Sequence, residues 1–239
     1  MIYLFVILSL IAVLVIIFLL IYFLVYLQAP KERVLTTRKV IDVVIVGEHD
    51  DNRRNVEQYL GDMVDKIYTV KKESDLISRL GVSRLKRFFL VLKPNMLFTG
   101  KITPQDFFAT DELAFVHSQK NVISHESAHD RRMLAKIGGL RFKFKTFQSI
   151  SSVPVLIDKH ILLELISKRD VVRSPPYHFL FYFYPNYVIA TGKALLCKKH
   201  SFHYVVTGDV SSFDLVQRKF VYVDPAQPKL QHKFIKRLS

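Results

Sequence analysis

The feature that most constrains this sequence is an apolar run at residues 2–27, which contains no charged side chain. Its one non-aromatic polar residue is Ser9. At ~1.5 Å per residue, a helix of this length reaches ~39 Å, which exceeds the ~30 Å hydrocarbon core of a bilayer. The run predicts a transmembrane anchor over residues 1–29, because a cleaved signal peptide has a basic start and a shorter apolar core.

The charge of the chain lies entirely after this run, and its formal net value is +14. Lys31, Arg33 and Arg38 follow the run directly. By the positive-inside rule, this flank predicts a single-pass membrane protein whose domain lies on the cytosolic side, with the secretory lumen as the alternative. The excess of positive charge predicts anionic partners, the membrane surface included. Cys197 is the single cysteine, which excludes an intrachain disulfide framework.

The rest of the sequence predicts one domain. Its boundaries are a linker at residues 30–39, an α/β domain at residues 40–228 and a basic tail at residues 229–239. Apolar, often β-branched runs predict strands at residues 40–46, 66–70, 88–92 and 220–223. Helical spacing predicts helices at residues 55–63 and after Asp158, a predicted cap. This alternation predicts a three-layer α/β domain with a mostly parallel sheet.

Polar residues follow two of the predicted strands. Asp50 and Asp51 come after the first strand, and Lys93 and Asn95 come after the strand at residues 88–92. In open parallel sheets, ligands bind beyond the carboxyl ends of the strands. These four residues are therefore the first candidates for a binding site.

A zinc-peptidase pattern, HExxH, occurs at His125, Glu126 and His129. In a helix, the face that carries both histidines also carries Arg132 and Lys136, whereas a catalytic zinc helix places its histidines in a partly dry cleft. A third ligand is not defined by the sequence. A solvated helix face is favoured over a zinc hydrolase.

The aromatic segment at residues 177–187 raises the question of nucleic-acid binding, since aromatic side chains stack on bases. Phe179, Phe181 and Phe183 alternate with Leu180, Tyr182 and Tyr184, so both sides of the chain are apolar, which is typical of a core strand or a buried helix. The basic residues are scattered apart from the tail and residues 141–145. Nucleic acid is therefore disfavoured as a partner.

Residues 87–108, RFFLVLKPNMLFTGKITPQDFF, resemble the Stealth family, which includes bacterial capsule polymerases and the animal N-acetylglucosamine-1-phosphotransferase. The family's Pro-x-Asp-Phe-Phe box is present here as residues 104–108. Looser similarity extends in order over most of residues 40–225. The resemblance implies a glycosyltransferase-like fold. It also implies an enzyme that transfers a sugar-1-phosphate from a nucleotide sugar to a hydroxyl of a glycan acceptor.

For such chemistry the resemblance implies carboxylates, a divalent cation and basic residues that hold phosphates. The catalytic candidates are Asp50, Asp51 and Asp106, and the substrate-binding candidates are Arg53, Arg54, Lys93, Asn95 and Arg173. Bracing of the turn before Phe107 is the competing interpretation of Asp106. The cofactor is not defined by the sequence; Mg²⁺ or Mn²⁺ is implied if the domain is active.

The sequence departs from the family where the chemistry is concentrated. Pro94 and Asn95 stand where the family has an Asp-Asp pair, and Ser152 stands where it has a histidine. The first change removes two hard anionic ligands at once. The alternative hypothesis is therefore a catalytically inactive module that binds a glycan, a nucleotide or a protein at a membrane.

Overall fold

The computed structural model describes residues 13, 15–18, 39–47, 50–117, 128–138, 153–173, 179–197, 205, 206, 219–223 and 229. By compactness the chain divides into two units, Met1–Val34 and Leu35–Ser239. The sheets and helices described below belong to the second unit.

The predicted transmembrane helix is corrected by the structure. In the first unit Val13 and residues 15–18 are helical, and the rest of the apolar run lies outside the described residues. Among the described residues, no helix combines the length and the hydropathy needed to cross a bilayer. The predicted fold class, which began with such a helix, and the predicted single-pass localisation are therefore wrong as stated.

Three sheets occur in the described part of the second unit. Their strands are β1 (Ile41–Val46), β2 (Val64–Val70), β3 (Phe88–Leu92), β4 (Met96–Phe98), β5 (Ala114–His117), β6 (Val155–Asp158), β7 (Ala194–Cys197), β8 (Val205–Val206) and β9 (Phe220–Val223). The main sheet has the order β2-β1-β3-β6, and two small sheets have the orders β4-β9-β8 and β5-β7.

The main sheet has a parallel core. β1 is parallel to both β2 and β3, and β6 adds an antiparallel strand beside β3. The β-branched and apolar residues of β1 and β3 are almost completely buried, as is usual for central strands that are covered on both faces. The fold is therefore mixed α/β around three parallel strands.

The helices lie between these strands. They are α1 (Asp50–Leu60), α2 (Glu73–Ile77), α3 (Arg79–Ser83), α4 (Ala128–Gly138), α5 (Lys159–Ile166), α6 (Arg169–Arg173) and α7 (Tyr184–Ala190). Short 3-10 turns occur at Gly61–Met63 and Pro104–Asp106, and a π-helix at Phe179–Phe183 runs into α7. The predicted cap is confirmed, because the Asp158 carboxylate accepts a hydrogen bond from His160 N at 2.8 Å.

The aromatic segment forms part of the core. All five residues of the π-helix are buried, and the rings of Phe179 and Phe183 stack with their centroids 5.5 Å apart. In α7, the buried Tyr184 hydroxyl accepts a hydrogen bond from Asp158 N at 2.8 Å, which ties this segment to the edge of the main sheet. The prediction of a core segment is confirmed for the described residues 179–187.

Candidate functional site

The carboxyl edge of the parallel strands is held together by a glycine. Gly47 follows β1 with a φ of 127°, and its N–H donates to Val70 O at the end of β2, at 2.7 Å. A Cβ at this position would lie 2.4 Å from Cγ of Pro94, which follows β3. At this positive φ a residue with a side chain would be strained, and its Cβ would clash with the proline ring. Only glycine therefore lets the segments after β1 and β3 approach each other this closely.

Lys93 is the basic group that the fold holds at this edge. Its Nζ lies over the ring of Phe181, 4.5 Å from the centroid, and the side chain is half-buried. Burial lowers the pKa of Lys93, and the negative charge of Glu73 partly opposes that shift. A charge in such a partly dry setting interacts more strongly with an anion than a fully solvated lysine does.

Glu73 joins the surroundings of Lys93 to the aromatic segment. It begins α2, directly after the end of β2, and its carboxylate accepts a hydrogen bond from Leu180 N at 3.1 Å. The end of β3, the start of α2 and the π-helix therefore meet around one lysine. This arrangement combines a cation, a carboxylate and an aromatic ring.

Two asparagines of α1 hold the segment that follows Lys93. Asn52 is buried, and its Nδ2 donates to Met96 O at 3.1 Å and to Lys93 O at 3.4 Å. Asn55 makes two bonds with one residue: its Nδ2 donates to Phe98 O at 2.8 Å, and Phe98 N donates to its Oδ1 at 2.7 Å. The path of the backbone after β3 is thus set by side-chain amides of α1.

Asn95, a predicted substrate-binding residue, forms hydrogen bonds to β9 in the small sheet β4-β9-β8. Its Nδ2 donates to Val223 O at 2.9 Å, and its own carbonyl accepts from Val223 N at 2.9 Å. The side chain is buried. Asn95 is therefore an amide that binds the end of β9.

Asp50 and Asp51 lie in the first turn of α1, whereas the sequence predicted a loop there. Their side chains lie outside what the structure describes. Arg53 and Arg54 follow them and are exposed, and Arg53 Nε contacts a Glu57 carboxylate oxygen at 3.1 Å. The fold therefore brings four of the candidate residues onto one end of one helix, at the carboxyl edge.

Asp106, the third predicted catalytic residue, makes contacts that stabilise its turn. Its Oδ2 accepts from Thr103 N at 2.8 Å and from the Thr103 hydroxyl at 3.0 Å. Lys219 Nζ lies 2.6 Å from both of its carboxylate oxygens. A catalytic role for Asp106 stays a prediction, and these bonds match the interpretation that it braces the turn.

The remaining candidates lie on other elements. Arg173 is exposed at the last residue of α6, whose main packing partners are α4 and α5. His125 and Glu126 of the HExxH pattern lie outside the described residues, and His129 is half-buried in α4. In the ranges that the structure does describe, three or more His, Cys, Asp or Glu side chains nowhere cluster closely enough to hold a metal ion.

Sequence reasoning missed Asn52, Glu73 and Phe181, which the fold brings to this edge. Asn52 and Asn55 recur three residues apart in an otherwise charged helix, a spacing that puts both on one face. That spacing was a usable signal for α1. Nothing local to Glu73 or Phe181 indicates that they meet Lys93, because they are separated from it by 20 and 88 residues of chain.

No family model matches the chain, and no curated protein matches it. Among solved structures, the fold is similar to that of a galactosyltransferase, LgtC, in complex with donor and acceptor sugar analogs. The TM-score is 0.47 at 12% sequence identity, over 83% of this chain and 96% of that chain. The resemblance to the Stealth family stays an interpretation of the quoted motifs.

Proposed function

We propose that this domain binds the diphosphate of a nucleotide sugar at the carboxyl edge of β1 and β3 and transfers a sugar-containing group to a glycan hydroxyl. The observation that carries the proposal is the half-buried cation of Lys93 at this edge. Lysine binds phosphate as a point charge, and carboxyl edges of parallel strands are the usual place for such ligands. Arg53 and Arg54, at the adjacent end of α1, supply further positive charge.

The finer assignment is transfer of a hexose-1-phosphate, which the Stealth resemblance implies. In that reaction the acceptor hydroxyl oxygen attacks the phosphorus that carries the sugar, the bond to the bridging oxygen breaks, and a nucleoside monophosphate leaves. The hydroxyl proton passes to a base, for which Asp50 and Asp51 are the candidates. Transfer of the sugar alone would instead release a nucleoside diphosphate. The nucleotide product therefore distinguishes the two reactions.

The described residues do not supply the acid cluster that would hold Mg²⁺ or Mn²⁺. At the position of the family's acidic pair, the Asn95 amide is already bonded to Val223. We therefore derive no step through a metal. This observation favours a second candidate function, the binding of a nucleotide or a glycan without transfer.

We expect Lys93→Met to weaken the binding of UDP-glucose or UDP-N-acetylglucosamine by about tenfold, since a charge-assisted hydrogen bond contributes ~1.5 kcal/mol or more. Isothermal titration calorimetry of the full-length protein, with and without Mn²⁺, measures the change. The matched control is Lys66→Met, which removes an exposed lysine of β2.

Equal affinities of the two variants, or no binding of either nucleotide by the unchanged protein, would contradict the proposed site. Phosphorus NMR of the reaction with a glycan acceptor then separates the two functions. UMP indicates sugar-1-phosphate transfer, and UDP indicates transfer of the sugar alone. Binding without either product supports the second candidate, and Asp50→Ala tests the candidate base if turnover is found.

A further inference from the structure

A cleft of about 740 Å³ opens at the edge of the main sheet opposite to the Lys93 site. Lys39, just before β1, and Met63, just before β2, both line it. It therefore lies at the amino ends of the parallel strands, whereas Lys93 and Gly47 follow the carboxyl ends. Its volume falls within the ~300–1,000 Å³ range of sites that bind small molecules.

Hydrogen bonds fix the walls of this cleft. Ile102 N donates to Tyr59 O at 3.0 Å, which joins the segment after β4 to the end of α1. The neighbouring Thr103 is held by the Asp106 carboxylate. Lys39 Nζ donates to Asp111 O at 2.6 Å. Such a cleft does not have to become ordered when it takes up a ligand, and this reduces the free-energy cost of binding.

The lining combines positive charge with apolar surface. Lys101 is exposed and forms no ion pair within the described ranges, whereas Lys39 contacts the Asp111 carboxylate at 3.1 Å. One acid, Asp62, also lines the cleft, so the lining has an excess of one positive charge. Four apolar residues lie on the same walls: Leu60, Met63, Ile102 and Pro104.

Tyr59 adds a hydrogen-bond donor to this lining. A tyrosine with its ordinary pKa of ~10 is protonated at neutral pH, and burial raises the pKa of the Tyr59 hydroxyl further. A protonated phenol can donate to an anion. Tyr59 and Lys101 both line the cleft, so the lining offers two hydrogen-bond donors to a bound anion.

We propose that this cleft is a binding site for a small organic anion, whose charged group contacts Lys101 and the Tyr59 hydroxyl and whose apolar body contacts Ile102 and Pro104. The site is separate from the one at Lys93. It does not depend on the proposed transferase function, because no residue is shared between them.

Phenyl phosphate is a suitable probe, since it joins an anionic group to an apolar ring. We expect it to bind the full-length protein in ligand-observed NMR titrations, and we expect Lys101→Gln to raise its Kd by about tenfold. The matched control, Lys66→Gln, removes an exposed lysine outside the cleft and should leave the Kd unchanged. Circular dichroism checks that each variant is folded.

Three comparisons make the test decisive. Benzyl alcohol, which has the ring without the charge, should bind much more weakly, and equal binding would overturn the anionic class. Excess UDP-glucose, which the Lys93 edge is proposed to bind, should leave the Kd of phenyl phosphate unchanged, and displacement of the probe would assign it to that edge. Absence of binding up to ~10 mM, or equal binding by Lys101→Gln, would overturn the proposal.

Discussion

Replacement of Asn55 by alanine is expected to lower the free energy of unfolding by about 3 kcal/mol. The side-chain amide both donates to Phe98 O and accepts from Phe98 N, at 2.8 and 2.7 Å, so two hydrogen bonds join α1 to β4 at this residue. Asn55 and Phe98 are both buried. Alanine leaves a buried N–H and a buried C=O without this partner, and each such group costs ~1–3 kcal/mol.

Urea unfolding of the full-length protein, followed by circular dichroism, measures this loss. Gln58→Ala is the matched control, because Gln58 is exposed on the same helix and its replacement should change the free energy of unfolding by less than about 0.5 kcal/mol. If both variants unfold at the same urea concentration, the paired amide does not contribute to stability as argued.

The parallel core could be predicted because its signal is local. β3 occurs at the predicted residues 88–92 and β9 at residues 220–223, and β1 and β2 differ from their predictions only at the start. Buried strands bring together β-branched and apolar residues over a few consecutive positions, and the sequence displays such runs directly. The antiparallel position of β6 depends on contacts between distant segments, which no run of residues displays.

The sequence predicted a helix from residue 55, whereas α1 begins at Asp50. The difference has a physical reason. Its first turns carry charged and amide residues without an apolar stripe, so helical periodicity becomes visible only near Val56. In the fold, Asn52 and Asn55 face inward, and their side-chain amides donate hydrogen bonds to backbone carbonyls of residues 93–98. Buried carbonyls of this kind are stabilised by such partners. A polar residue that is buried to satisfy a distant backbone cannot be told from an exposed one by its own sequence context.

The sequence predicted where Lys93 lies in the fold, but not which partners the side chains of the candidate residues have. The rule that ligands lie beyond the carboxyl ends of parallel strands led to Lys93, which the fold holds at that edge. Asn95 was chosen by the same rule and Asp106 as part of the Pro-x-Asp-Phe-Phe box, and their side chains are hydrogen-bonded to Val223 and Lys219, more than 100 residues away. Such long-range partners decide whether a polar residue is available, and only the fold reveals them.

Acidification should destabilise the protein through His117, by about 3 kcal/mol between pH 6.5 and pH 4. His117 ends β5 and is 2% exposed, with its ring edge-on to Phe107 and its Nε2 2.8 Å from Asp106 O. Burial lowers the pKa of His117 to about 4. The hydrogen bond to the backbone carbonyl of Asp106 and the negative charge of the Asp106 side chain both oppose this shift. Because a carbonyl only accepts, Nε2 carries the proton of the neutral ring.

The sign follows from proton binding. Between pH 4 and pH 6.5 the unfolded chain, with a histidine pKa near 6.5, binds more protons at this residue than the folded chain does. The free energy of unfolding therefore falls as the pH is lowered through this window. Below pH 4 both states are protonated, and the contribution of His117 changes no further.

His117→Gln separates this effect from the titration of the carboxylates. The glutamine amide nitrogen can replace Nε2 as the donor to Asp106 O but carries no titratable proton, so the fall in stability between pH 6.5 and pH 4 should become smaller by about 3 kcal/mol. Urea unfolding of the unchanged protein and the variant at several pH values provides the comparison, with the exposed His160 replaced in the same way as the control. If His117→Gln shows the same dependence on pH as the unchanged protein, then protonation of the buried imidazole does not limit stability in acid, and the loss has to be assigned to other groups.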